Sequence, residues 1–210
     1  RYDSTLVNLI DDLNRDNLIL SFVSLEGDDV SLINNWAPVN TSRLVAADIR
    51  QQTIAYETFY AGQKIRKSYT FYPNSYEVGL DISFENPDKY ISRGQYLLSW
   101  SGGLAPTEKN LKDDYTHFQG YAYLGDELLD PTAKADGPNE EKQTGNTRWT
   151  AIKTKYLTAA ILPEDVGVGA VVRGEVDGKR PVFTTELRQG TSNSGRFDVY
   201  IGPLEYNRIK

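Results

Sequence analysis

The chain has 210 residues, no Cys, no Met, one His and a formal net charge of −6. The missing Cys excludes disulfides, zinc-thiolate centres and thiol nucleophiles, and a lone His117 excludes any mechanism that needs two imidazoles. The acidic balance argues against a nucleic-acid binder, whose phosphate contacts need a basic face, and nothing in the composition calls for a cofactor.

A composition of 39% hydrophobic and 25% charged residues suits a globular core. One domain over residues 1–210 is expected. The longest strongly apolar run, residues 156–162, falls well short of the roughly 20 residues of a spanning helix. The first residues lack the basic-then-apolar pattern of a signal peptide. A chain opening on Arg1 rather than Met leads to the expectation of a piece of something longer.

Taken in order, residues 5–13 could form a short helix, and the first strand is expected at 18–24. Asp28 and Asp29 follow Gly27 in a turn without the spacing of a calcium loop. Asn40-Thr41-Ser42 matches a glycosylation sequon. Further strands are expected at 53–60 and 67–72, separated by Ala61-Gly62, and the clearest of all at 76–84. There Tyr76, Val78, Leu80, Ile82 and Phe84 alternate with polar or small residues, the period-two mark of a half-buried antiparallel strand. Strands at 95–100, 119–124, 147–152, 156–162, 169–174, 182–187 and 197–201 complete the set, with a helical turn at 109–114. Asp177-Gly178 is a pair favoured in two-residue hairpins. Many short strands at this spacing predict an all-β fold, a sandwich of antiparallel sheets with little helix.

Residues 108–147 stand apart, with nine acids against four Lys, so that most of the net charge lies in one fifth of the chain. Residues 130–145 have no apolar period and read as a long exposed loop. Within this stretch Asp113, Asp114, Asp126 and Glu127 supply charge, while Tyr115, Phe118, Tyr121 and Tyr123 supply aromatic surface. Tyr121 and Tyr123 should share one strand face. Together these eight residues are the candidate partner-binding set, with a sheet core edged by Tyr hydroxyls as the plainer reading of the aromatics.

Catalytic constellations are poorly supported. Asp11-Asp12, Asp28-Asp29, Asp113-Asp114 and Glu140-Glu141 are adjacent acids, whereas glycoside hydrolysis needs carboxylates about 5 to 10 Å apart across a cleft. Neighbours on one strand point to opposite faces. Gly167 to Gly174 has the wrong spacing for a dinucleotide fingerprint and lacks the Lys of a phosphate loop. Fourteen Tyr and three Trp leave a carbohydrate-binding sandwich as the alternative function.

Three stretches carry a resemblance. Lys67-Ser-Tyr69-Thr-Phe71 with Tyr76-Glu-Val78, then Arg148-Trp149-Thr-Ala151 through Lys155-Tyr156-Leu-Thr-Ala159-Ala160 to Pro163, then Val199-Tyr-Ile201-Gly202-Pro203 occur in one order. Together they resemble the large periplasmic domain of YidC-type membrane protein insertases of Gram-negative bacteria, over about residues 50–205. The resemblance implies a large twisted supersandwich similar to galactose mutarotases and carbohydrate-binding domains. It also implies truncation in the first strands and before a C-terminal helix, with tethering to the inner membrane by segments outside this chain. The expected role is auxiliary and non-catalytic, in the insertion and folding of inner-membrane proteins. The implied partners are the SecD and SecF accessory subunits of the Sec translocon, met by about residues 102–146, and emerging membrane proteins. Mutarotase chemistry uses a His acid, a carboxylate base and a further His, a set that His117 alone does not fill.

Overall fold

A computed structural model describes residues 17–39, 50–101, 103–192 and 194–204. The helix expected at 5–13, the Asp11-Asp12 pair and the sequon at 40–42 lie outside the described residues.

Fourteen strands follow one another: β1 Asn17–Ser24, β2 Asp29–Leu32, β3 Ala37–Pro38, β4 Gln52–Tyr60, β5 Gln63–Phe71, β6 Glu77–Phe84 and β7 Ile91–Trp100. After a single helical turn, α1 Leu111–Tyr115, come β8 Gln119–Leu124, β9 Glu127–Leu129, β10 Asn139–Lys153, β11 Leu157–Pro163, β12 Gly167–Asp177, β13 Arg180–Gly190 and β14 Ser194–Pro203. Pairing between them is antiparallel throughout and gives the order β2-β1-β7-β13-β12-β10-β11-β14-β6-β5-β4-β3, with β8 added to β10 and β9 to β8.

This continuous sheet folds over so that its two halves face each other. Leu20 and Phe22 on β1, Leu98 and Trp100 on β7 and Leu187 on β13 share one core with Ile65 on β5, Leu80, Ile82 and Phe84 on β6 and Phe197 and Val199 on β14. Aromatic edges close the two layers, with Phe22 and Tyr60 centroids 5.1 Å apart and Phe84 and Tyr96 centroids 4.9 Å apart. The all-β sandwich expected from the alternation is thus present. The apolar face of β6 follows the pattern, with Leu80, Ile82 and Phe84 fully buried and Tyr76 left 38% exposed beyond the strand's start.

Turn chemistry sets the hairpins. Tyr60 pairs with Gln63, and the two residues between, Ala61 and Gly62, both have positive φ, as a right-twisted two-residue hairpin requires. Asp177 pairs with Arg180, so the loop residues there are Gly178 and Lys179, one place later than the Asp-Gly pair suggests. Gly178 takes φ +63.

One expectation is overturned. Residues 139–145 are not loop but the first half of β10, running from Asn139 opposite Gly174 to Thr144 opposite Gly169. Their polar sequence hides the strand because neither face is buried: Glu140, Lys142 and Thr144 are exposed, and Asn139, Glu141 and Gln143 are half-buried among polar contacts. Arg173 reaches from β12 to Glu140, Glu141 Oε2 accepts from the Asp130 N–H at 3.1 Å, and Gln143 Nε2 donates to Glu127 Oε2 at 2.6 Å. Ladder pairing, not hydrophobicity, makes this half a strand.

A bulge between Thr144 and Thr147 then passes β10 from β12 to β8 and β11. The β8–β9 hairpin packs on β12 through a small second core of Ala122, Leu124, Leu129, Ala170 and Val172.

Candidate functional site

The second half of β10 lies between β8 and β11, and β11 continues to β14. Residues directly opposite in an antiparallel pair share a face. Ala151 on β10 stands opposite Tyr121 on β8 and Ala160 on β11, and Ala160 stands opposite Tyr200 on β14. The row is therefore Tyr121, Ala151, Ala160, Tyr200. Two small residues in the middle and two rings at the flanks make a trough.

Trp149, opposite Tyr123, extends the wall on one side. Its ring stacks on Tyr123 with centroids 5.8 Å apart and an interplanar angle of 25°. The Arg148 guanidinium lies 5.6 Å from the Tyr123 centroid. Leu162 and Leu204, 38% and 41% exposed, add apolar edge, and the groove has a volume of about 490 Å³. Burial, aided by the nearby Asp130 carboxylate, pushes the Tyr121 phenol above its ordinary value, so this wall is neutral at physiological pH.

The eight residues singled out from the sequence separate into three places. Tyr121 and Tyr123 do share a face, and that face is the groove. Asp126 sits in the two-residue turn between β8 and β9, exposed, and Glu127 beside it holds Gln143. The remaining four belong to α1 and its flank. Asp114 is fully buried and structural, since its Oδ2 accepts from the backbone N–H of Thr107 at 2.7 Å and of Glu108 at 3.2 Å. Tyr115 and Phe118 meet edge to face at 5.4 Å, Phe118 beneath the Arg180 guanidinium. These rings belong to the core rather than to a surface.

Asp113 joins a charged cluster. Lys155 Nζ donates to Asp113 Oδ2 at 2.8 Å and to Glu108 Oε1 at 3.4 Å, and the Tyr156 hydroxyl donates to Glu108 Oε1 at 2.6 Å. The Tyr156 hydroxyl and then Lys155 hold the Glu108 carboxyl below its ordinary range, and Lys155 does the same for Asp113. This cluster adjoins the groove, because the Leu204 N–H donates to the Tyr156 carbonyl at 2.7 Å. His117 is exposed, two residues beyond α1, with its N–H on the Asp114 carbonyl.

The groove's floor and far wall (Trp149, Ala151, Ala160, Tyr200, Leu204) were not among the candidates. A signal existed, since Trp149 and Ala151 alternate on β10 in the very stretch that carries the family resemblance.

A family model described as the YidC periplasmic domain matches residues 2–210. The chain belongs to that family. Among curated relatives, the membrane protein insertase YidC of Chlorobium luteolum is 35% identical over 156 residues, covering 70% of this chain and 27% of the relative. That of Prosthecochloris aestuarii is 31% identical over 212 residues, covering 95% of this chain and 36% of the relative. The chain thus spans about a third or less of the length of these YidC relatives. A putative aldose 1-epimerase from Escherichia coli K12 is similar at a TM-score of 0.46 and 9% identity, over 94% of this chain and 82% of that one. So distant a likeness carries no argument about what a YidC periplasmic domain does.

Proposed function

We propose that this chain is a non-catalytic interaction domain on the periplasmic side of a membrane protein insertase, assisting insertion and folding of inner-membrane proteins. It is held at the inner membrane by segments outside the chain. Membership of the YidC periplasmic domain family supports the class of role. The observation that supports the mode of action is the trough of Tyr121, Ala151, Ala160 and Tyr200, a largely apolar groove of about 490 Å³ edged by the exposed Leu162 and Leu204. Uncovered apolar faces rimmed by polar groups are characteristic of protein contact sites. The SecD and SecF subunits are the partners that the family resemblance implies, and the apolar lining of the groove supports it as their contact in preference to the acidic residues Asp126 and Glu127.

Ala160→Trp would fill the trough while its side chain points away from the core. With a SecDF periplasmic domain as titrant, this variant should lose binding and keep its cooperative melt. Retained binding in Ala160→Trp, with loss on charge reversal at Asp126 and Glu127, would move the contact to the acidic hairpin.

The stacked pair Tyr123 and Trp149 also favours a second reading, a carbohydrate-binding face. Titration of Trp149 fluorescence with a glycan panel separates the two, since a protein-binding groove should give no saturable quenching.

A further inference from the structure

A second cavity, of about 460 Å³, opens between the two layers of the sandwich where β1 and the β2–β3 connection face β4 and β5. It lies within the size range of small-molecule sites, about 300–1,000 Å³. Its walls are apolar and aromatic, chiefly Leu18, Trp36, Ile54, Tyr56, Tyr69 and Phe71.

The inward row of β5 explains what is unusual here. It begins with Ile65, fully buried in the core, and ends with Tyr69 and Phe71 at the cavity; between them stands Lys67, only 5% exposed. An aliphatic residue would continue the row, yet the position holds an ammonium. Lys67 Nζ donates to the Leu18 carbonyl at 2.6 Å and lies 4.6 Å from the centre of the Trp36 ring. That ring is fixed in turn by its indole N–H on the Leu32 carbonyl at 3.0 Å.

Both neighbours are arranged for the cation. Leu18 has φ +56, a left-handed conformation that L-residues other than Gly avoid, and the register of β1 on β7 slips between Asn17 and Ile19. The bulge takes the Leu18 carbonyl out of the ladder and turns it to Lys67. Strain of this kind persists where the surroundings impose it, often at binding sites. A charged ammonium carries three donors, and the Leu18 carbonyl takes one. Among the described residues no carboxylate pairs with Lys67. Burial pushes its pKa down to about 8, which leaves it mostly charged at neutral pH.

We propose that this cavity binds a small amphipathic monocarboxylate, a medium-chain fatty acid, with its head on Lys67 and its tail along Trp36, Tyr69 and Phe71. A buried cation without a carboxylate calls for one negative charge. The aromatic and aliphatic walls call for an apolar body. A phosphate monoester would bring a second charge, for which the cavity offers no further cation among the described residues. The site is separate from the groove on β8, β10, β11 and β14 and stands independently of the partner proposed there.

Isothermal titration of the 210-residue chain with decanoate, decanol and decyl phosphate tests this directly. Decanoate should bind with one site per chain, and decanol about tenfold more weakly or worse, the loss expected for one charge-assisted hydrogen bond. Lys67→Met should reduce decanoate binding by a similar factor, with circular dichroism confirming its fold. Equal affinity for decanol and decanoate in the unmodified chain would overturn the proposal without recourse to any variant. Tighter binding of decyl phosphate would overturn the carboxylate assignment. Decanoate binding that survives Lys67→Met and disappears in Ala160→Trp would place the ligand in the groove instead.

Discussion

Lys67 Nζ and the Leu18 carbonyl are joined by a 2.6 Å hydrogen bond that links β5 to a bulge in β1 across the mouth of the sandwich. Burial holds Lys67 at about 8 against an ordinary 10.5. Between those values the unfolded chain binds more protons than the folded one, so this group makes stability rise with pH there. Below about 8 both states are charged and the full penalty applies, on the order of 3 kcal/mol. Tyr56 and Tyr69 are the titratable groups facing Lys67 among the described residues. Burial pushes Tyr69 up to about 12, and both phenols are present in wild type and in Lys67→Met alike. Urea unfolding of the two proteins should therefore show wild type gaining on Lys67→Met as pH rises from about 8 towards 10.5. Parallel pH profiles would remove the basis for this reading.

Adjacent acids on α1 should behave oppositely. Asp114→Ala leaves the half-buried N–H groups of Thr107 and Glu108 without their acceptor, a loss of about 2 kcal/mol. Thermal melts should show a clear drop. Asp113→Ala removes only an exposed partner of Lys155 and should leave the melting temperature unchanged.

The contrast between these two residues shows where sequence reading stops. Period-two alternation located most strands because one face of each is buried, as Leu80, Ile82 and Phe84 demonstrate. It is blind to the first half of β10, whose cover is polar, and to β2 and β9, which are too short to show a period. Asp113 and Asp114 look alike in the chain, and only the direction of a single helical turn separates an exposed ion pair from a buried acceptor. Tyr121 and Tyr123 were legible as one face. The Ala151 and Ala160 floor was not, because small residues advertise nothing until their neighbours across the sheet are known.

Removal of residues 130–145 should unfold the domain, since it takes away the β10 pairing with β12 from Asn139 to Thr144. A shorter excision of residues 135–137, all outside the strands, should keep a cooperative transition. The two deletions, compared by thermal melting, distinguish a structural strand from a dispensable loop.

Binding in the groove should respond weakly to salt. Its walls are rings and aliphatic chains with Arg148 as the one charged side chain lining it among the described residues, and screening acts on exposed charges rather than on apolar burial. Affinity for a SecDF periplasmic domain should fall strongly on Tyr123→Ala and little between low and high ionic strength. A steep salt dependence would favour the acidic hairpin around Asp126 and Glu127.

The ends of the long sheet have a consequence of their own. In the described strand order it terminates in β2, of four residues, and β3, of two, the latter containing Pro38. Stubs so short offer an incoming chain few free amide and carbonyl groups to zip onto. At these two stubs an extended chain could lengthen the sheet only over a few residues. A partner held by side chains on a sheet face, as proposed for the groove, needs no such pairing and can let go again.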